Sequence, residues 1–368
     1  MTFIHELAGW PVFTWDVTVL EVTLANLRHR QGRLLGRMEY LGFDVRALAR
    51  LDTLTADVVK SSAIEGETLN TDEVRSSIAR RLGIDVGGYL APDRAVEGIV
   101  EIMLDATQHY ELPLTAERLF GWHAALFPTG RSGVQRIAVG AWRSAEAGPM
   151  QVVSGPIGKQ TVHFEAPSAD RLDAEMTRFF AWFNRNDPID PVIKAALAHF
   201  WFVTIHPFED GNGRIARAIA DMALARADRS KDRFYSMSSQ IEAERRDYYR
   251  ELESQQRGLL NVTPWLSWFL ACLDRALEVA DGVLAAVHAK ARLWQFINQK
   301  PVNGRQRIVI NRLLDGFEGH LTNSKYTKLA KCSSDTALRD ITELLDREIL
   351  VKNEGGGRSV SYRLVEID

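Results

Sequence analysis

Cysteine is almost absent from this chain: Cys272 and Cys332 are far apart and outside any CxxC spacing, which excludes a disulfide framework and a zinc site of the usual spacing. Long apolar runs are missing too. The best stretches, 195–205 and 262–273, fall well short of the ~20 residues that span a bilayer, so they read as buried helices. Charge of one sign is scarce: 45 Lys and Arg against 48 Asp and Glu leave a net of −3, which excludes an electrostatic coat for nucleic acid. With 46% hydrophobic and 25% charged residues the chain is not disordered. No internal repeat, low-complexity tract, GxxxxGK[ST] phosphate loop or kinase glycine-rich loop occurs. The opening MTFIHELAGWPVF lacks a basic start and carries His5 and Glu6 where a secretory signal is apolar, so export is not expected and a reducing cytoplasm is.

What is present reads as helix. At 368 residues the chain has room for two or three domains of ~100–200 residues each. An aromatic cluster (Trp10, Phe13, Trp15) is expected in the core, followed by helical spacing of Leu, Val and Ala over 19–35 and 52–66. Glycine and proline between Gly83 and Pro92 mark a seam, after which helices are expected at 93–110 and 115–126. From Gly140 to Pro167 the helical pattern stops; MQVVS and TVHFEA, joined through GPIG, read as a hairpin. Helices resume at 169–184, at 192–205 and after Gly213. Beyond Trp294, three helices at 306–317, 324–331 and 334–345 precede an alternating stretch, 351–364, around Gly355-Gly356-Gly357, the order of a winged helix-turn-helix. The expected fold is mainly α, in three parts: 1–86, 87–292 and 293–368.

The chemistry concentrates in HPFEDGNGRIAR, from His206 to Arg217. Gly211, Asn212 and Gly213 suit a positive-φ turn at a helix start, where outward N–H groups and the positive dipole end make an anion nest. Arg214 and Arg217, three apart, share a helix face and reach one polyphosphate. Asp210 offers a hard oxygen to Mg²⁺, and His206 accepts a hydroxyl proton. Together these describe a phosphoryl-transfer site.

The string matches HPFxxGNGRxxR, and the chain resembles the Fic family over nearly its whole length. The resemblance implies a helical core with a β-hairpin flap, an N-terminal helical domain and a C-terminal winged helix. It also implies an activity: AMP moves from ATP to a Tyr, Thr or Ser hydroxyl of a protein. His206 is then the base, Asp210 the Mg²⁺ ligand, Gly211, Asn212 and Gly213 the anion hole, and Arg214 and Arg217 the phosphate arginines. Phe208 anchors the loop, and Glu209 has no catalytic role. Val152, Val153 and Ser154 become the flap edge that pairs with the target's main chain. Arg143 and His163 resemble residues bordering the flap, with a structural salt bridge and a turn role as the alternatives. Tyr248 and Tyr249, with Gln256 two turns later, match the family's adenine pocket, against the alternative of a tyrosine pair that packs two helices.

Ser61-Ser62-Ala63-Ile64-Glu65-Gly66 fits the family's [ST]xxxE[GN] inhibitory pattern. Ser61 and Glu65 then share a helix face, Gly66 ends the helix, and Glu65 holds Arg217 away from the γ-phosphate of ATP. The family also allows the same glutamate to orient a water that removes AMP. Phosphate or phosphocholine transfer is the lesser alternative, because Gly213, Arg214 and the inhibitory pattern match the AMP-transferring kind. A DNA-binding regulator with a Fic sensor core is the rival reading of the tail. From Pro301 onward eleven Lys and Arg face ten Asp and Glu, however, and Lys325, Lys328, Lys331 and Arg358 are its remaining candidates for a local basic patch, so protein contact is expected before DNA. A protein substrate, the chain itself included, is the expected partner, and a homo-oligomer stays open.

Overall fold

The computed structural model describes residues 2–39, 43–84, 91–154, 159, 161–314, 319–353 and 360–365. The chain divides into two compact units, 1–280 and 281–368. The fold is mainly helical, with small antiparallel strand pairs. Among the described residues no helix is long and apolar enough to cross a membrane.

The first unit holds α1 (Val17–Glu39), α2 (Phe43–Ile64), α3 (Thr71–Leu82), α4 (Arg94–Gln108), α5 (Ala116–Leu126), the short pair β1 (Arg131–Ser132) and β2 (Gln135–Arg136), and the hairpin β3 (Gln151–Ser154) and β4 (Thr161–Glu165). It continues with α6 (Leu172–Asn184), α7 (Pro191–Ile205), α8 (Asn212–Asp228), α9 (Met237–Ala243), α10 (Arg245–Gln256) and the start of α11 (Thr263–Asn298). The α3 helix was not anticipated from the sequence; Asn70 caps it by accepting from the Asp72 N–H at 3.0 Å. The expected seam at 86 falls within residues 85–90, outside the described residues, and so does the GPIG turn. The expected division after 292 falls inside α11, which runs on past Trp294.

α7 is the centre of this unit. Asp190 caps it, accepting from the Val192 N–H at 2.8 Å, and Pro191 is preset for the first turn. Its sequence is apolar all round, and apart from Lys194 every residue from Val192 to Ile205 is buried, as a helix without a polar face must be. α8 packs along it, and Ala216, Ala218, Ala220 and Ala223 of α8 are buried. α2 is seated on α3, α4, α8 and α9. Of the aromatic cluster, Trp10 is buried edge-on against Phe13 (5.4 Å) and Trp201 (6.3 Å), while Phe13 and Trp15 are half-buried.

The second unit contains the end of α11, then α12 (Gly304–Leu314), α13 (Asn323–Ala330), α14 (Ser334–Asp346) and the antiparallel pair β5 (Leu350–Lys352) and β6 (Tyr362–Leu364), with Leu350 opposite Leu364. Ile297, Val309, Ile310, Tyr326, Ile341 and Leu344 form its core. Thr322 and Ser333 cap α13 and α14, accepting from Lys325 N–H (3.3 Å) and Thr336 N–H (3.2 Å). Phe317, Gly355 to Gly357 and Arg358 lie outside the described residues.

Candidate active site

His206 closes α7 with φ 52°, a left-handed conformation that residues other than glycine seldom adopt, just before Pro207 ends the helix. Backbone bonds hold it there. Its N–H donates to Phe202 O at 3.0 Å, Arg143 Nε donates to His206 O at 2.8 Å, and the Arg143 N–H donates to Pro207 O at 2.9 Å. Arg143 Nη2 donates to Pro167 O as well, so this guanidinium grips carbonyls and makes no salt bridge among the described residues. Burial lowers its pKa to about 10. The His206 ring donates from Nδ1 to Val203 O at 3.1 Å, which leaves Nε2 as the acceptor nitrogen. Burial also lowers the ring's pKa below the ordinary 6.5, against the pull of that carbonyl, so the ring is neutral at neutral pH.

The loop that follows is closed by its own side chain. Asn212 Oδ1 accepts from the Phe208 N–H at 3.0 Å, and Asn212 Nδ2 donates to Phe208 O at 2.8 Å. Asn212 thus offers a ligand its backbone N–H, its amide being engaged. The three motif residues do not share one conformation, as the sequence suggested. Gly211 alone has positive φ, 81°, whereas Asn212 and Gly213 already belong to α8. Gly213 answers a different need: a Cβ there would lie 2.1 Å from Glu65 Oε1, so its lack of a side chain makes room for that carboxylate.

Glu65 arrives from the end of α2, where Gly66 (φ 85°) turns the chain and Glu67 N–H donates back to Ser62 O at 3.0 Å. Its Oε1 stands 2.8 Å from Arg217 Nη2. Arg217 further donates to Ser61, from Nε to Oγ (2.9 Å) and from Nη2 to the carbonyl (2.8 Å). Burial works to lower its pKa, but Glu65 together with Tyr248 and Tyr249 holds it above the ordinary value. Arg214 pairs with Glu67, Nη1 to Oε2 at 2.6 Å, and lies over the Phe127 ring at 5.3 Å. Arg217 Nη1 and Arg214 Nε are buried without a hydrogen-bond partner among the described residues.

A cavity of about 690 Å³ opens onto this point. His206, Asp210, Gly211, Asn212, Gly213 and Glu65 line it on one side, β3 with His163 on another, and Tyr248, Tyr249 and Gln256 on a third. The tyrosine pair also packs helices: the Tyr248 hydroxyl and His199 Nε2 are 2.9 Å apart, and Tyr249 Oη donates to Ile64 O, the last residue of α2, at 3.2 Å. Gln256 Nε2 donates to Thr204 Oγ1 at 3.3 Å. Val152, Val153 and Ser154 are exposed along β3, and His163 sits within β4, not in a turn.

Residues 113–224 match the model of the Fic/DOC family. The chain carries a Fic domain. Residues 3–84 match a second model, described as a domain of unknown function, DUF4172. The protein adenylyltransferase Fic of Nematostella vectensis is 24% identical over 229 residues, 60% of this chain and 47% of that protein. Its namesake in Drosophila grimshawi is 26% identical over 235 residues, 63% and 44% of the two chains. The chain therefore spans less than half the length of these relatives. The crystal structure of a Fic family protein from Desulfovibrio desulfuricans superposes with a TM-score of 0.51 and 22% identity, covering 93% of this chain and 96% of that one, a likeness of fold.

Several residues around the Fic motif carry no sequence signal of their own. His123 donates from Nε2 to Asp210 O (3.2 Å), accepts the Gly140 N–H at Nδ1 (3.2 Å), and stacks on Phe208 at 4.2 Å. Ser132 donates to Asp210 Oδ2, Gly211 N–H donates to Oδ1 at 2.6 Å, and Glu209 accepts from the Ala138 N–H at 3.2 Å. Glu67 was readable as an acid two places after Glu65. Its pairing with Arg214 needed the turn at Gly66, which spacing alone does not give.

Proposed function

We propose that this protein transfers AMP from ATP to a hydroxyl of a protein and is restrained by its own Glu65. The observation that carries the reading is the Glu65 carboxylate at the start of α8. An anion already occupies the ground where N–H groups, a helix dipole and two arginines favour a phosphate, and the two orphaned arginine nitrogens call for further acceptors. In the active form the triphosphate takes these contacts. His206 Nε2 accepts the proton of the target hydroxyl, whose oxygen attacks the α-phosphorus as the bond to pyrophosphate breaks. Tyr248, Tyr249 and Gln256 flank the adenine, and the exposed edge of β3 pairs with the target's main chain.

Among the described residues no group of three or more His, Cys, Asp or Glu is placed to hold a metal. Mg²⁺ brought in on a triphosphate keeps most of its ligands from phosphate and water and needs one carboxylate, which the cavity wall offers. Asp210, in the cavity wall beside the helix start, is the residue that would hold it. The ion would supply charge neutralisation on the phosphates.

The test is incubation of the parent and Glu65→Gly chains with Mg²⁺ and ATP labelled at the α- or the γ-phosphate, with cell lysate as target. Protein-bound label from α-labelled ATP alone, stronger in Glu65→Gly, supports AMP transfer. Label from γ-labelled ATP identifies a kinase instead.

A further inference from the structure

The flap hairpin carries a chain of hydrogen bonds that the proposed transfer does not use. Ser154 Oγ donates to His163 Nε2 at 2.6 Å, and His163 Nδ1 donates to Glu253 Oε2 at 2.9 Å. Arg257 braces the group: its Nη1 lies 2.8 Å from Glu253 Oε1, its Nε donates to His163 O at 3.0 Å, and its Nη2 donates to Val162 O at 2.9 Å. A hydroxyl, an imidazole and a carboxylate in this order form a nucleophile with its base, the carboxylate fixing the tautomer that leaves Nε2 free to take the proton. Ser154, His163 and Glu253 all line the cavity that contains His206, and Ser154 is exposed. The electrophile the cavity suits is a phosphate, since its oriented donors are those at the start of α8.

We propose that Ser154 is itself an acceptor of AMP. The inference rests on the AMP-transfer reading, with Ser154 in the wall of the cavity onto which the start of α8 opens. Ser154 Oγ attacks the α-phosphorus of ATP and its proton passes to His163 Nε2. An Oγ–P bond forms while the P–O bond to pyrophosphate breaks, and AMP remains on Ser154 as a phosphodiester. Glu253 is a positioning residue, acting through His163.

Two measurements test this. In the first, the Glu65→Gly chain is incubated with Mg²⁺ and ATP, and the site of any AMP adduct is mapped by peptide mass spectrometry. The expected adduct is on Ser154, absent in Ser154→Ala and at least tenfold slower in His163→Phe. In the second, the parent chain without nucleotide is treated with a fluorophosphonate probe of reactive serines. Ser154 is expected to label, at least tenfold less in Glu253→Ala and with part of the rate restored in Glu253→Asp. AMP on lysate proteins with none on Ser154 overturns the acceptor assignment and leaves AMP transfer standing. Probe labelling of Ser154 with no AMP on any protein overturns AMP transfer and the acceptor role together. Labelling no faster than at other exposed serines overturns the activation of Ser154.

Discussion

Glu65 Oε1 and Arg217 Nη2 meet at 2.8 Å across the start of α8, and the arginine side chain is 2% exposed against 30% for the glutamate. The asymmetry matters. A buried cation left without its partner costs about 3–5 kcal/mol, so an Arg217 released from Glu65 has a strong demand for another anion. Under the proposed function, self-restraint and affinity for phosphate would be two uses of one buried charge.

Glu65→Gly is therefore expected to raise AMP incorporation at least tenfold, equivalent to about 1.4 kcal/mol of transition-state stabilisation. Arg217→Ala in that background should cancel the gain, because both changes act through one contact. Thermal melts supply a second readout. Glu65→Gly should melt below the parent without nucleotide and recover most of the loss on adding ATP, whereas an unchanged melting point would mean that Arg217 does not depend on Glu65.

The second pair, Arg214–Glu67, is weaker because the Glu67 side chain is 46% exposed. Half-exposed pairs contribute up to ~1 kcal/mol. Glu67→Gln should tighten ATP binding by up to about fivefold in a calorimetric titration, and more so combined with Glu65→Gly. Equal affinities in Glu65→Gly and the double variant would show that Glu67 does not compete with the nucleotide.

His206→Ala is expected to reduce transfer at least ~100-fold while ATP binding stays within about twofold, since the ring acts on the incoming hydroxyl. The pH profile adds a sign. Burial depresses the His206 pKa, so the ring remains an unprotonated base as pH falls through 6.5, and the acid limb of kcat/KM should lie below that value. A limb at or above 6.5 would count against His206 as the base.

Asp210→Ala should abolish the Mg²⁺ dependence of nucleotide affinity, leaving equal binding with Mg²⁺ and with EDTA. A Mg²⁺ effect as large as the parent's would remove Asp210 from the role.

His123 links pH to stability. Burial pushes its pKa down to about 4, against the opposing pull of Asp210. The unfolded chain takes up a proton near 6.5 that the folded chain refuses until about 4, so the contribution is complete above 6.5 and is lost as pH falls from there towards 4. His123→Gln is expected to melt ~2–6 °C lower at neutral pH and to show a shallower decline between pH 6.5 and 4.5, followed by circular dichroism.

Much of the first unit was legible because its signals are local. Periodicity located α7 and α4 within a residue or two, and the acid and proline at 190–191 mark where α7 begins. The phosphate chemistry proposed for the site was read from residue types in one contiguous string, His206 to Arg217. What the sequence hid is set by contacts across long separations: His123 beneath the Asp210 carbonyl, Arg143 on His206 and Pro207, and Glu253 behind His163. Gly213 shows the limit most clearly. Its residue type was noticed, but its cause is a carboxylate that approaches from another helix, and turn propensity was the wrong account.

The hairpin over the cavity is sealed on one flank. Arg257 accepts no strand and instead covers the Val162 and His163 carbonyls of β4, and His5 Nε2 does the same to Glu165 O at 2.8 Å. Among the described residues β3 pairs with β4 alone. A guest segment can therefore join this hairpin from the β3 side alone. Under the proposed function the flap would have a valence of one: each domain would clasp a single extended segment, and identical hairpins would couple in pairs but not stack into an open-ended ribbon.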